Sequence, residues 1–368
     1  MTSVLFSPLT VGGMTVPNRI AVAPMCQYSA DDGSATDWHL HHWMSLAISG
    51  AGMITVEATG IERHGRITHG CLGMYSEHNE AAAQRALAAA RRVAPTGTRF
   101  GIQLGHAGRK ASVHRPWQGG GPLSADEDAW QTVAPSAIPF APGHPVPQAL
   151  DESGIQRLIS TWANAAERAV RAGFDFIEIH GAHGYLLHEF LSPLSNRRGD
   201  HWGGSLENRM RFIVAVVRAV RAAVPATVMV GARLSASDWT EGGFTIDEAV
   251  EVSRALKDAG AAYICASSGG GVHDARVPLA PGYQVPFAER IRKEAGIATR
   301  AVGLIDDPHM AEAIVAEGKA DQVALGRALL ADPRWPWRAA AALGEPLHVV
   351  PQYARSTPLV ERWMAAGA

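Results

Sequence analysis

The chain has 368 residues, 47% of them hydrophobic and 18% charged, with a formal net charge of -2, which supports a sizeable core and offers no cationic face for nucleic acid or anionic membrane. No apolar run reaches the roughly 18 residues of a membrane span, and the N-terminus lacks the charged-then-apolar pattern of a secretory leader. Three scattered cysteines, Cys26, Cys71 and Cys265, argue against a disulfide framework or a structural zinc site and point to a cytoplasmic protein.

Short apolar runs recur, each followed by a helical pattern. The strand candidates are residues 20–25, 53–58, 100–104, 174–179, 228–234, 263–267, 301–304 and 322–325. Continuous β-rich runs of this kind suit parallel strands buried on both faces. Amphipathic stretches at 80–92, 155–171, 206–223 and 246–259 lie between them. In the third, Phe212, Val216 and Val220 form one stripe with Ile213 and Val217, and Ser205 is placed to cap its start. Gly173, Gly260, Gly296 and Gly318 follow helical runs as stop signals.

Eight βα units imply a single (β/α)8 barrel domain over 1–368. An open doubly wound sheet would carry a GxGxxG turn after its first strand, where this chain reads APMCQYS. Residues 107–153 are too many for a simple βα loop and read as a capping insertion over the barrel mouth. Residues 351–368 read as an extension that must dock on something.

The fourth strand runs into HGAHGY. His180 and His183 have opposite parity, so they converge only if the chain leaves the strand between them. The other strand ends deliver Cys26 and Tyr28, then Glu57, Ala58 and Thr59, then Gln103, His106, Arg109 and Lys110. Later ones deliver Arg233, the run from Ser267 to Gly271, Gly303, and Gly326 with Arg327. Glycines after strands seven and eight, beside an arginine, match the phosphate site usual for this fold. An HxxH pair also suits a metal, with Glu178, His106 or His188 as a third ligand. Arg109 and Lys110 read as partners of a phosphate or of acidic side chains.

Six motifs, in order, carry a resemblance: NRIAVAPMCQYS at 18–29, GIQLGHAGRK at 101–110 and HGAHGYLLHEFLSPLSNRRGDHWGGSLENR at 180–209 are followed by ARLSASDW at 232–239, PGYQVPFAERIR at 281–292 and ALGRALLADPRWPW at 324–337. Over residues 4–355 the chain resembles the Old Yellow Enzyme family, in its shorter bacterial branch of thermophilic-like ene-reductases. The resemblance implies FMN across the barrel mouth and NADPH as reductant, with no separate dinucleotide-binding domain. It assigns Ala23, Pro24, Met25, Cys26 and Ala58 to the flavin ring and Gln103 to its pyrimidine edge. Arg233 goes beside N1 and O2, and Gly303, Gly326 and Arg327 to the phosphate. His180 and His183 would hold the carbonyl of an activated alkene (an α,β-unsaturated carbonyl, maleimide or nitroalkene) while flavin N5 gives hydride to the β-carbon. Tyr185 would give the proton, Cys26 would tune the flavin, and Tyr28 would line the substrate pocket. Arg355 resembles an arginine that enters a neighbouring subunit's site, implying a homodimer or homotetramer. Val302 stands where some relatives carry a tryptophan, and RPWQGGGP at 115–122 is absent from compact members.

Overall fold

The computed structural model describes residues 3–346 and 349–367. In chain order, a hairpin of β1 (Leu9–Val11) and β2 (Met14–Val16) precedes β3 (Ile20–Val22), α1 (Asp37–Ala47), β4 (Met53–Gly60) and α2 (Glu77–Val93). Then come β5 (Arg99–Gly105), two very short strands β6 (Val133–Ala134) and β7 (Gln148–Ala149), α3 (Glu152–Ala172) and β8 (Phe176–Gly181). The second half holds α4 (Leu186–Leu191), α5 (Leu206–Ala223), β9 (Met229–Ser235), α6 (Ile246–Asp258), β10 (Tyr263–Ser267) and α7 (Val285–Ala295). It closes with β11 (Ala298–Ala301), α8 (Pro308–Ala316), β12 (Gln322–Leu325), α9 (Arg327–Ala331), α10 (Trp335–Ala342) and α11 (Thr357–Gly367).

Strands β3, β4, β5, β8, β9, β10, β11 and β12 form a closed barrel with parallel neighbours throughout, sealed where Val323 pairs with Ile20. The (β/α)8 expectation holds, and the open sheet is excluded. Helix α5 shows why the elements form where they do. Ser205 accepts from the Asn208 N–H at 3.3 Å, and the stripe of Phe212, Ile213, Val216, Val217 and Val220 is fully buried. Gly173 ends α3 in the left-handed region, at φ +103°.

Two strand expectations need correction. The first strand ends at Val22 instead of residue 25, because Pro24 has no N–H to continue the ladder. The seventh runs Ala298–Ala301 and not 301–304, since Gly303 and Leu304 leave extended geometry at φ +119° and +53°. The misreading has a physical cause. Arg300 made the true strand look polar, yet its side chain lies wholly inside the barrel.

Arg300 belongs to the middle layer of the interior. Its Nη1 lies 3.3 Å from Glu178 Oε2, which also accepts from the Tyr263 hydroxyl at 2.9 Å. Gln103 Nε2 donates to Glu178 Oε1 at 2.8 Å. Below this layer Met53, Phe176, Met229 and Tyr263 pack with Met14 and Val16 of the hairpin, which closes the N-terminal end of the barrel. Phe176 and Tyr263 lie against Gly101 and Gly231, where a Cβ would come within 2.1 Å of either ring.

Residues 107–153 run along the loops that follow the strands. Arg109 Nη2 donates to the Gly271 carbonyl at 2.9 Å, Arg115 Nε to that of Tyr28 at 2.9 Å, and Trp130 Nε1 to that of His64 at 2.9 Å. The tail packs on its own barrel: Tyr353 meets Trp337 edge-on at 6.3 Å, and Val360 is buried.

Candidate active site

The two histidines meet as parity required. Strand β8 ends at Gly181, and His183 sits in the left-handed region at φ +61°, a conformation unusual for a residue with a Cβ. This turn packs directly on the loop after β10. A Cβ on Gly184 would lie 2.1 Å from the Gly270 carbonyl oxygen, and one on Gly270 would lie 2.7 Å from the His183 backbone, so both positions need glycine. Lys110 fastens the same junction, its Nζ donating to the carbonyls of His183 at 2.8 Å and Gly270 at 2.9 Å. The His180 ring stands 5.1 Å from that of His183 and 4.9 Å from that of Tyr185, nearly perpendicular to both.

Burial sets the charge of each group. It holds both imidazoles well below their ordinary pKa, and the guanidinium of Arg233, paired in register with His180 on the next strand, pushes the same way. Both rings are therefore neutral at neutral pH. His180 Nδ1 accepts the Ala182 N–H at 3.2 Å, which leaves its one proton on Nε2. His183 Nε2 lies 2.7 Å from Ser267 Oγ, which also receives Arg233 Nη2 at 3.4 Å. Burial raises Tyr185 well above the usual phenol value, so its hydroxyl stays protonated.

A cavity of about 670 Å³ opens beside these groups, within the range of about 300–1,000 Å³ for small-molecule sites. It collects Ala23, Pro24, Met25, His183, Arg233, Gly303, Gly326 and Arg327, with Val302 also on its wall. Ala58, His180 and Tyr185 line a separate void of about 20 Å³, room for about one water molecule. Cys26 and Tyr28 are half-buried in the loop that follows β3 and line neither space. Burial pushes the Cys26 thiol up, with nearby Glu57 adding to it. Glu57 is itself buried at the β4 bulge, accepting the Gln27 N–H at 2.7 Å and lying 3.2 Å from His39 Nε2. Gln103 stands one layer down, held by Glu178.

The residues fit an anionic, phosphorylated aromatic cofactor. Among the described residues Arg233 has no carboxylate partner, and its buried Nε has no acceptor. Gly303 and Gly326 bare the backbone on the far side of the cavity, next to the exposed Arg327.

Other expectations fared differently. The side chains of Arg109 and Lys110 donate to backbone carbonyls, and the Arg109 N–H donates to the Glu189 carboxylate. The third metal ligands are engaged elsewhere: Glu178 with Arg300, His106 with Glu62 at 3.1 Å, and His188 with Asp238 at 3.1 Å. Arg355 is exposed on the outer surface near Trp337, not in its own barrel's cavity. Gln284 was missed; it is buried, accepts from Ser268 Oγ at 2.7 Å and borders the cavity. Its one signal was its place in PGYQVPF.

Fold, cavity and neutral donor set together define a flavin-dependent oxidoreductase barrel. The model of the NADH:flavin oxidoreductase / NADH oxidase family matches residues 4–345, and the chain belongs to that family, the Old Yellow Enzymes. It is 45% identical over 358 residues to an NADPH dehydrogenase of Geobacillus sp. (strain WCH70), covering 96% of this chain and 99% of the relative. An NADPH dehydrogenase of Bacillus subtilis (strain 168) is 42% identical over 358 residues, with the same coverage. Among solved structures, morphinone reductase superposes with a TM-score of 0.77 at 30% identity, covering 94% of this chain and 91% of its own. A 2-naphthoyl-CoA reductase complex shares the fold, with a TM-score of 0.82 at 24% identity, covering 94% of this chain and 53% of its own. The chain is an FMN-dependent oxidoreductase of a family whose members draw electrons from NAD(P)H. Among the described residues no helix is long and apolar enough to cross a membrane.

Proposed function

We propose that the protein is an NADPH-dependent ene-reductase that saturates activated alkenes: α,β-unsaturated carbonyls, maleimides or nitroalkenes. The observation that carries the reading is the convergence of two neutral imidazoles and a protonated phenol beside a cavity whose guanidinium has no carboxylate partner among the described residues. Bound FMN supplies the hydride, with NADPH as its source.

The chain's own residues do the rest. His180 donates from Nε2 to the substrate's carbonyl or nitro oxygen. In the tautomer in which Ser267 Oγ donates a hydrogen bond to His183 Nε2, the His183 proton sits on Nδ1 and serves the same oxygen. Neither N–H has a protein acceptor among the described residues. Two preset donors stabilise the negative charge that grows on that oxygen as the β-carbon is attacked. Neutral rings suit this role, since they hold the oxygen without surrendering a proton to it. Tyr185 delivers its proton to the α-carbon, and Cys26 and Tyr28 border the substrate. Arg233 would offset the negative charge of the reduced flavin, Gln103 and Ala58 would contact its ring, and Gly303, Gly326 and Arg327 would hold its phosphate.

Residues 107–153 cap the mouth in this reading, supported by their bonds to the strand-end loops. Three unpaired cysteines support a cytoplasmic setting. The exposure of Arg355 supports a homodimer or homotetramer in which it reaches a neighbour's site.

The test is a visible spectrum of the purified protein under anaerobic NADPH, followed by 2-cyclohexenone. Bleaching of a yellow protein and recovery of colour on adding the enone are expected. Colour that NADPH bleaches but no activated alkene restores would overturn the reading.

A further inference from the structure

The segment RPWQGGGP forms a small strap. Its base is closed by a bridge between Val113 and Pro122 and by the His114 N–H donating to the Gly121 carbonyl at 2.8 Å. Its tip is a single helical turn, Pro116–Gln118, that presents Trp117. Two contacts fix the strap to Tyr28. Arg115 Nε donates to the Tyr28 carbonyl at 2.9 Å, and the Trp117 ring meets the Tyr28 ring edge-on at 5.9 Å.

Trp117 nevertheless remains 66% exposed, the most exposed large hydrophobic side chain among the described residues. Burial does not hold it there; the arginine does. Tyr28 therefore has as its outer neighbour an indole whose face is largely uncovered. Beyond the tip, a Cβ at Gly119 or Gly121 would meet nothing within 4 Å, so the strap has room to adjust on that side.

We propose that Trp117 is a specificity-determining residue that extends the substrate pocket outward from Tyr28 and favours activated alkenes bearing an aryl or fused-ring group. The inference rests on the reading of Tyr28 as a substrate-pocket residue. A small alkene held at His180 and His183 ends before the strap. A substrate with a flat apolar extension covers the indole and gains the offset or edge-on contact that aromatic pairs prefer.

The experiment is calorimetric binding of succinimide and N-phenylsuccinimide, which do not alkylate thiols, to the FMN-loaded protein and to its Trp117→Ala and Trp117→Phe variants. The corresponding maleimides serve for kcat/KM. Trp117→Ala is expected to weaken N-phenylsuccinimide about three- to tenfold and leave succinimide unchanged, with Trp117→Phe recovering part of the loss. The kcat/KM preference for N-phenylmaleimide over maleimide should fall by a similar factor. Equal weakening of both ligands, or of neither, would overturn the proposal. Failure of the underlying reading would show in the unaltered protein, as turnover of neither maleimide, and would overturn both.

Discussion

Replacing Arg300 by methionine strands a carboxylate in the centre of the barrel. Arg300 and Glu178 are 3.3 Å apart and wholly buried, so their attraction is roughly 5 kcal/mol at an effective dielectric of about 20. Taking both charges out of water consumes much of that gain, and removal of one partner from such a pair costs about 3–5 kcal/mol. After Arg300→Met, Glu178 keeps only the Tyr263 hydroxyl and the Gln103 amide as donors. At about 2.1 cal/mol/K of unfolding entropy per residue, the 368-residue chain should lose about 4–6 °C in Tm. The double variant Arg300→Met, Glu178→Gln removes both charges and should lie within about 2 kcal/mol of the unaltered protein. Urea unfolding of the two single variants and the double variant gives the coupling energy. A coupling near zero, or a double variant as unstable as Arg300→Met alone, refutes the reasoning. FMN affinity should follow the same order if Gln103, whose amide Glu178 orients, contacts the flavin as proposed.

Tyr185→Phe should slow alkene reduction by about 10²–10⁴-fold and leave reduction by NADPH untouched, which stopped-flow measurement of the two half-reactions separates. His180 and His183 should contribute no inflection to the alkene half-reaction from about pH 6.5 to 9, since neither depressed imidazole titrates there. The same depression costs stability in acid: below about pH 6.5 the unfolded chain takes up protons that His180 and His183 refuse, so unfolding becomes easier as pH falls. Glu189 behaves in the opposite sense. Burial raises its carboxyl from 4.5 to about 8, while Oε1 accepts the Arg109 N–H at 2.9 Å and Oε2 has no partner. The folded state binds the extra proton between those values, so stability should fall by about 3 kcal/mol from pH 5 to 8. Glu189→Gln should abolish that fall; an unchanged pH slope in urea titrations would remove Glu189 as its source.

Most of the barrel was legible because parallel strands buried on both faces leave runs such as FIEIH that nothing else explains. Where a strand hid a charge, at Arg300, the signal failed, since its neutralising partner lies 122 residues away in sequence. The histidine turn was legible from parity, a local property. The roles of Lys110 and Arg109 were not, because a basic side chain in a sequence does not reveal that its acceptors are backbone carbonyls on distant loops. Gln284 and Trp117 were opaque for a related reason. One lies in the long loop between β10 and α7 and the other in an insertion, and only the folded loops bring them to Ser268 and Tyr28.

The seam of the barrel bears on how the chain is made. Ile20 can complete its pairing only when Val323 arrives, more than 300 residues later. A nascent chain therefore carries two open sheet edges through most of its synthesis, and contacts of such long sequence separation form slowly. The N-terminal hairpin, which needs Met53, Phe176 and Met229 to bury its apolar face, is likewise idle until the middle of the chain exists. Ribosome-bound chains stalled before residue 322 should remain open to protease throughout, and full-length chains refolding from urea should favour dilute conditions, where exposed edges meet one another least.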